Sequence, residues 1–390
     1  MTESATLEMT RKSRELKEKG FDVITLSIGE PDFNTPEPVK TAAKKAIDDN
    51  YTHYPPVPGF PALRKAIVHK LKRDNGLDYN ESQVVVSNGA KQSIANVLLC
   101  ILNEGDEVIV PAPYWVSYPS MIEMAGGKPV IIKAGIETDF KVTAGQIENA
   151  ITDRSKAFLF NSPSNPTGTV YSKEELSAIA KVFEKHPDIL IISDEIYEYN
   201  LFDGAHVSLA AFSNIKNQVA IINGVSKGYA MTGWRIGYVA APQVIADACD
   251  KVQGQYTSGA GSISQMAALE AIKTDPHQSP DIQMMVKAFK ERRDLLIGLL
   301  KEIPGVITNK PDGAFYVFPD VSYYYGRSDG EAKINNSTDL CLYMLEKAHV
   351  ALVSGDAFGA PECIRISYAT SKEQLMEAVK RMKPLFEALK

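Results

Sequence analysis

The strongest constraint on the fold is a series of seven short, mostly apolar runs between residues 84 and 240. They occupy residues 84–87, 107–110, 129–133, 157–160, 189–193, 219–223 and 236–240. Continuous apolar runs of this length are typical of strands that are buried on both faces of a sheet. Stretches of helical period lie between several of them. This alternation predicts an α/β fold with a mostly parallel seven-stranded sheet that is flanked by helices.

The C-terminal part of the chain has a different pattern. Residues 282–302 have the spacing of a long, charged amphipathic helix, and strand-like segments and a final helix follow it. These elements predict a smaller α+β domain. Because 390 residues are too many for one compact core, we expect two domains. The predicted divisions are residues 1–46 (an N-terminal arm and part of the small domain), 47–281 (the large domain) and 282–390 (the small C-terminal domain).

Two capping boxes predict where helices begin. In each, a serine is followed three residues later by a side chain that can reach back to the serine amide. The pairs are Ser172 with Glu175, and Ser371 with Gln374.

The composition and charge of the sequence argue against several classes of binding partner. The net charge is −6 and the basic residues are scattered, which argues against a nucleic-acid partner. No secretory signal and no membrane-spanning apolar run is present, so we expect a cytoplasmic protein without a membrane partner. The four cysteines lie in or beside apolar runs, which is typical of reduced thiols, and the isolated histidines argue against a metal site.

The segment Gly224–Gly228 (GVSKG) follows an apolar strand and admits two functional interpretations. In the first, G-x-S-x-G is a nucleophile elbow with Ser226 as the nucleophile, which requires a helix directly after the serine. In the second, Lys227 forms a Schiff base with an aldehyde cofactor, while Ser226 and Arg235 bind the cofactor's phosphate. A solvated loop lysine is the non-functional alternative.

Two further polar segments follow predicted strands. Asp194 ends an apolar run, where a carboxylate is costly unless paired, and a protonated pyridine nitrogen would be a fitting partner. Tyr197 and Asn165 could then reach the phenolic oxygen of the same ring. The alternatives are that Asp194 caps a turn and that the segment around Asn165 (NSPSNPTG) is an ordinary proline- and glycine-rich loop.

Three more positions are candidate ligand contacts. The backbone of Ala90 and Lys91 would lie at a helix N-terminus, which is a natural anion site. Trp115 could stack on an aromatic ring, and Arg365, inside an apolar strand, could bind a carboxylate with both guanidinium arms. The alternatives are a plain loop at residues 87–93, a packed tryptophan, and a structural salt bridge at Arg365.

Taken together, these segments resemble the fold-type I aminotransferases, specifically class I and its bacterial aspartate aminotransferase branch. The resemblance covers essentially the whole chain and is carried by IGEPDFNTP, YPPVPGFPALRKAI, SNGAKQS, VPAPYWVSYP, NSPSNPTG, ISDEIYE, GVSKGYAMTGWRIGY and IRISYATS. It implies a large domain that binds pyridoxal 5'-phosphate, and a homodimer with shared active sites. The sequence departs from the family in one respect here: the chain opens close to ESATLEM, so we expect a shorter N-terminal arm than is usual for the family, with fewer dimer contacts from that arm.

The resemblance also implies a role for each candidate residue. Lys227 would be the catalytic Schiff-base lysine. The other cofactor contacts would be Asp194, Tyr197, Asn165, Trp115, Ser226, Arg235, Ala90, Lys91 and, from the neighbouring subunit, Tyr54. The substrate contacts would be Arg365 for the α-carboxylate, with Asn165, Trp115 and the backbone of Gly29.

The substrate implied by the resemblance is a dicarboxylic amino acid. The animal-type branch uses a second arginine for the distal carboxylate, and this sequence has no matching motif. In the bacterial branch a lysine at the position of Lys91 has that role. We therefore expect ping-pong transfer of an amino group between aspartate or glutamate and a 2-oxo acid, either oxaloacetate or 2-oxoglutarate.

Several alternatives stay open from the sequence. The same chemistry could act on prephenate, aromatic amino acids, alanine or kynurenine. The cofactor could serve β-elimination instead, or Ser226 could make the protein a hydrolase. A non-catalytic, ligand-sensing relative would carry an added DNA-binding domain, for which these 390 residues leave no room.

Overall fold

The computed structural model describes residues 5–390. The α-helices are α1 (Ala5–Glu18), α2 (Glu37–Asp48), α3 (Pro61–Asn75), α4 (Ala90–Ile101), α5 (Tyr118–Met124), α6 (Ala144–Ala150), α7 (Lys173–Phe183), α8 (Gln243–Tyr256), α9 (Ser262–Lys273), α10 (Pro280–Leu300), α11 (Ser337–Ala348) and α12 (Lys372–Ala388). Within this part of the chain, no helix is both long and apolar enough to cross a bilayer.

The strands are β1 (Ile24–Thr25), β2 (Val84–Ser87), β3 (Glu107–Ala112), β4 (Lys128–Lys133), β5 (Ser155–Asn161), β6 (Leu190–Asp194), β7 (Val219–Gly224), β8 (Gly237–Ala240), β9 (Tyr316–Val317), β10 (Val350–Ala351), β11 (Val353–Ser354) and β12 (Ile364–Ser367). All seven runs predicted between residues 84 and 240 are strands, β2 to β8, and no end differs from the prediction by more than two residues.

The large sheet has the strand order β2-β8-β7-β6-β5-β3-β4. Strands β3 to β7 pair in parallel, and β8 alone runs antiparallel to both of its neighbours, β2 and β7. The predicted fold class, a mostly parallel seven-stranded sheet, is therefore confirmed.

Helices cover both faces of this sheet, as the apolar runs predict. Successive strand residues point to opposite faces. Ile191 packs into a core with α3, α7 and α9, whereas Ile192 packs into a second core with α4, α5 and α8. The same alternation holds for Ile221 and Ile222 of β7. Burial on both faces leaves only the strand ends open to a ligand.

The C-terminal part forms the small α+β unit. Strands β11, β12 and β9 form an antiparallel three-stranded sheet, and β1 pairs in parallel with β10. Helix α12 packs on α10 and α11. The N-terminal segment thus joins this unit through β1, whereas α2 packs on α9 beside the large sheet. The division at residue 46 stays a prediction.

Both predicted caps begin helices. The Ser172 hydroxyl accepts from the Glu175 amide (3.2 Å), and the Glu175 carboxylate accepts from the Ser172 amide (2.7 Å), so this capping box is complete. At α12, the Ser371 hydroxyl accepts from the Gln374 amide (3.2 Å). These caps fix the first turns of α7 and α12 through local hydrogen bonds.

Candidate active site

A cavity of about 470 Å³ lies at the carboxyl ends of the parallel strands, where open α/β sheets bind ligands. It contains eleven of the twelve candidate residues: Gly29, Ala90, Lys91, Trp115, Asn165, Asp194, Tyr197, Ser226, Lys227, Arg235 and Arg365. They come from both the large sheet and the small α+β unit. The structure therefore brings together segments that are up to 336 residues apart in the sequence.

Lys227 lies at the centre of this cavity, just after β7. Its ammonium group donates to the carbonyl oxygen of Gly29 (2.5 Å). Burial, reinforced by the positive charge of Arg365, lowers the pKa of Lys227 to about 8. An amine with this pKa is partly unprotonated near neutral pH and can act as a nucleophile.

Asp194 ends β6, the neighbour of β7. One carboxylate oxygen accepts from the Tyr118 hydroxyl (2.7 Å) and the other accepts from the Ile196 amide (3.2 Å). Burial raises the pKa of Asp194 to about 6, although the hydrogen bond from Tyr118 opposes this shift. The hydrogen bond from Ile196 fits the alternative interpretation of Asp194 as a turn cap, but it involves only one of the two carboxylate oxygens. Asp194 also lines the cavity.

Two tyrosines of this site were missed from the sequence. Tyr118 contacts Asp194 as described, and Tyr316, in β9, shares a hydrogen bond with the Tyr197 hydroxyl (2.9 Å). Tyr118 lies three residues after Trp115, and the two rings pack edge to face with centroids 5.4 Å apart. The spacing in YWVSY was the only local signal for Tyr118, and the sequence contained no comparable signal for Tyr316.

One corner of the cavity is strongly cationic. Helix α4 begins at Ala90, and its free amides are a natural anion site. Lys91 and Arg235 lie beside it, and within the described residues no carboxylate is within 4.0 Å of either cation. Burial, followed by the charge of Arg235, lowers the pKa of Lys91. A helix N-terminus with two such cations beside it is suited to bind anions such as a phosphate or a carboxylate.

Glycines make the close packing of this corner feasible. Gly89 has a φ of +84°, and a β-carbon there would overlap the guanidinium of Arg235. A β-carbon on Gly237 would overlap the backbone of Ala90. Arg235 itself adopts a left-handed backbone, with a φ of +56°. Such strain in a non-glycine residue is typical of functional sites.

Arg365, in β12, is 2% exposed and has no carboxylate within 4.0 Å among residues 8–390, so the structural salt-bridge alternative is wrong. Its guanidinium donates to the side-chain oxygen of Asn165 (3.0 Å) and to the carbonyl of Ser27 (2.6 Å). It also lies 4.6 Å from the Tyr316 ring centroid. A buried cation held only by neutral groups is suited to bind an anion.

The nucleophile-elbow interpretation of Ser226 does not fit the backbone. A turn and a short 3₁₀ segment follow Lys227, and the chain then enters β8 without an intervening α-helix. Tyr54 is the one candidate that lies outside the cavity, and it is 95% exposed. It belongs to a surface loop that lies beside residues 259–264.

Comparison with known proteins identifies the family. The sequence profile described as "Aminotransferase class I and II" matches residues 22–382. The chain belongs to the class I and II aminotransferases. The family and the enzyme class predicted from the sequence are therefore confirmed.

Individual relatives match over nearly the whole chain. The bifunctional aspartate aminotransferase and glutamate/aspartate-prephenate aminotransferase of Petunia hybrida is 48% identical over 99% of this chain and 81% of its own length. The aspartate/prephenate aminotransferase of Cereibacter sphaeroides is 48% identical over 97% and 95%. The crystal structure of the Rhizobium meliloti aspartate aminotransferase superposes with a TM-score of 0.96 at 40% identity, covering 100% of this chain and 98% of the other.

The family uses pyridoxal 5'-phosphate, so the predicted cofactor is confirmed as well. The residues of this aminotransferase fit that group. Lys227 offers a buried amine for its aldehyde, Asp194 a buried carboxylate for its ring nitrogen, and the cationic corner at Ala90 an anion site for its phosphate.

The lowered pKa of Lys227 gives a direct prediction for the cofactor-free protein. Only the neutral amine reacts in reductive methylation, so labelling of Lys227 should rise through about pH 8. Lys347 is the control, because its hydrogen bond to Glu331 raises its pKa above the usual value. Mass spectrometry of the labelled peptides would measure the labelling of both lysines. If the two lysines were labelled over the same pH range, the lowered pKa of Lys227 would be contradicted.

Proposed function

We propose that the protein transfers the amino group of L-aspartate or L-glutamate to a 2-oxo acid, oxaloacetate or 2-oxoglutarate, through a cofactor bound at Lys227. The observation that carries the proposal is the pair of uncompensated cations, Arg365 and Lys91, that line the same cavity as the buried amine. A dicarboxylic amino acid has one carboxylate for each of them.

Arg365 is the proposed receptor for the α-carboxylate. Two of its nitrogens already donate to Asn165 and Ser27, so its position is fixed before a substrate arrives. Its Nε has no hydrogen-bond partner among the described residues. A carboxylate would pair with this buried cation and meet the Asn165 amide, the Trp115 ring and the Gly29 backbone nearby.

When bound, pyridoxal 5'-phosphate supplies an aldehyde that condenses with amines and a protonated ring that accepts electrons. We propose that Asp194 keeps the ring nitrogen protonated and that Tyr118 keeps Asp194 oriented. The remaining proposed contacts are Tyr197 and Asn165 at the ring oxygen, Trp115 against the ring face, and Ser226, Arg235 and the backbone amides of Ala90 and Lys91 at the phosphate.

Lys227 is the proposed proton carrier. Its lowered pKa of about 8 leaves a fraction of the amine unprotonated near neutral pH, and this neutral amine could act as a base when it is not bonded to the cofactor. It can then take the proton from the substrate's α-carbon and deliver it to another atom in the same cavity. A positioned base of this kind contributes about 10²–10⁴-fold to a rate. Two half-reactions on one site give ping-pong kinetics.

Lys91 is the proposed receptor for the distal carboxylate. Its amine lies 4.8 Å from the centroid of the Trp115 ring, and both residues line the cavity. One structural relative, from Thermus thermophilus, is an aspartate aminotransferase with maleate, a dicarboxylate, and superposes with a TM-score of 0.92 at 40% identity. The alternative substrate is prephenate, which several relatives carry in their names and which also has a second carboxylate.

Kinetics with a panel of amino donors would test the substrate proposal. Aspartate and glutamate should have the highest kcat/KM, and Lys91→Met should lower it for these two by about tenfold or more, while alanine loses far less. Lys128→Met, at an exposed lysine of β4, is the matched control and should change neither. The proposal fails if aspartate and glutamate are both poor donors, and prephenate as the better acceptor would favour the alternative.

We propose in addition that the protein is a cytoplasmic homodimer in which Tyr54 reaches the phosphate of the partner's site. Tyr54 is almost fully exposed, and its loop lines a different cleft from the cavity that contains Lys227. An exposed tyrosine of this kind is typical of an interface.

Analytical ultracentrifugation of the holoenzyme would test the dimer. The expected mass is that of two chains, and Tyr54→Phe should weaken cofactor retention without dissociating them, because it removes one hydroxyl contact. A monomer that is fully active would contradict the shared-site arrangement.

A further inference from the structure

The end of β6 and the turn that follows it contain three buried carboxylates. Asp194 faces the cavity, and Glu195 and Glu198 follow it in the same short segment. Because neighbouring side chains at a strand end point to opposite faces, Glu195 lies away from the cavity, on the side of Ser193. Buried charges of the same sign repel one another strongly, so each of these carboxylates needs its own partner.

Glu195 has a complete set of partners. One of its oxygens accepts from the hydroxyls of Ser193 (2.8 Å) and Ser208 (2.7 Å), and the other lies 2.9 Å from the Nε2 of His206. The side chains of Glu195 and His206 are 3% and 8% exposed. None of these residues lines the cavity, so the cluster has no direct contact with a ligand.

His206 and Glu195 each change the pKa of the other. Burial opposes ionisation of the imidazole, yet Glu195 outweighs it and the pKa of His206 is raised. Burial likewise opposes ionisation of Glu195, but His206 and the two serines hold its pKa below the usual range. Each group therefore favours the ionised form of the other within this buried, hydrogen-bonded pair.

The other charged and titratable groups around this pair are few. The charges of Glu198 and Lys70 also act on His206, and these two residues form their own buried pair (2.5 Å). The negative charge of Glu195 also acts on Tyr79 and Tyr238, but burial is the larger effect and raises the pKa of both, so their hydroxyls stay neutral. His206 is thus the cation that compensates Glu195.

Glu195 influences the active site through the neighbouring carboxylate, that of Asp194. After burial and the hydrogen bonds from Tyr118 and Ile196, the next influence on Asp194 is the negative charge of Glu195, which raises the pKa of Asp194. If Glu195 lost its compensating cation, ionised Asp194 would become less favourable. Asp194 is the group that we assign to the protonated ring nitrogen.

We propose that His206 is a positioning residue for the cofactor, whose positive charge cancels Glu195 and so allows Asp194 to keep the negative charge that binds the ring nitrogen. His206 touches neither cofactor nor substrate and acts through Glu195. This inference rests on the proposed role of Asp194, and the experiment below separates the two.

The test is the dissociation constant of pyridoxal 5'-phosphate for the full chain as a function of pH, with four variants. In His206→Gln, the loss of the cation should weaken binding about tenfold and move the acid limb of the affinity profile up by about one pH unit, since one pKa unit is a tenfold change. In the double variant His206→Gln/Glu195→Gln, the charge that needs compensation is gone, so most of the affinity should return.

The other two of the four variants serve as controls. Lys70→Gln removes the equally buried cation that pairs with Glu198, which lies one turn further on. This variant should lower thermal stability but leave the pH profile of cofactor binding unchanged. Asp194→Asn should weaken cofactor binding strongly. If Asp194→Asn binds normally, the proposed function of Asp194 fails.

If Asp194→Asn binds weakly but His206→Gln keeps the original affinity and profile, only the inference about His206 is overturned. It is also overturned if the double variant binds as weakly as the single one, because that result indicates lost packing rather than uncompensated charge. Should His206→Gln not fold, the double variant, which has no buried charge in this cluster, still has to bind normally.

Discussion

The site depends on two ionisable side chains, Lys227 and Asp194, held at the ends of neighbouring parallel strands, β7 and β6, where the strands meet the cavity. Burial pushes both groups toward their neutral forms, since the pKa of the amine falls to about 8 and that of the carboxyl rises to about 6. The sheet fixes their separation, because β6 and β7 are paired from Ile191 to Asp194. A ligand that carries an aldehyde and a basic ring nitrogen can engage both groups at once.

The small α+β unit completes this arrangement. Arg365 of β12 reaches across to Asn165 of the large sheet, and the N-terminal segment brings the carbonyl of Gly29 to Lys227. The charged groups that surround the ligand therefore come from both parts of the chain. A change in the relative position of the two parts would alter the spacing between Arg365 and Lys227, and with it the fit of a substrate.

The strands were predictable from the sequence because burial on both faces produces continuous apolar runs, as in β6 and β7. Their direction was only partly predictable. The reversal of β8 had one usable signal, because the connection from β7 carries no helix and parallel neighbours need a crossover. The candidate residues of the site were found because each of the main ones directly follows or lies in a strand.

Other parts of the site could not be predicted from local patterns. Tyr316 meets Tyr197 only because β9 of the small unit lies beside the segment that follows β6, and a single tyrosine in an apolar strand does not indicate its partner. The same holds for His206, whose loop folds back onto Glu195. Long-range contacts of this kind form only in the tertiary structure, and no periodic pattern in the sequence indicates them.

The central claim is that Lys227 is the residue that binds the cofactor covalently. Borohydride reduction of the holoenzyme, followed by peptide mass spectrometry, tests it most directly. The account predicts that the visible absorbance of the protein disappears on reduction and that the cofactor is recovered on the peptide that contains Lys227. Recovery of the label on another lysine, or on none, would contradict it.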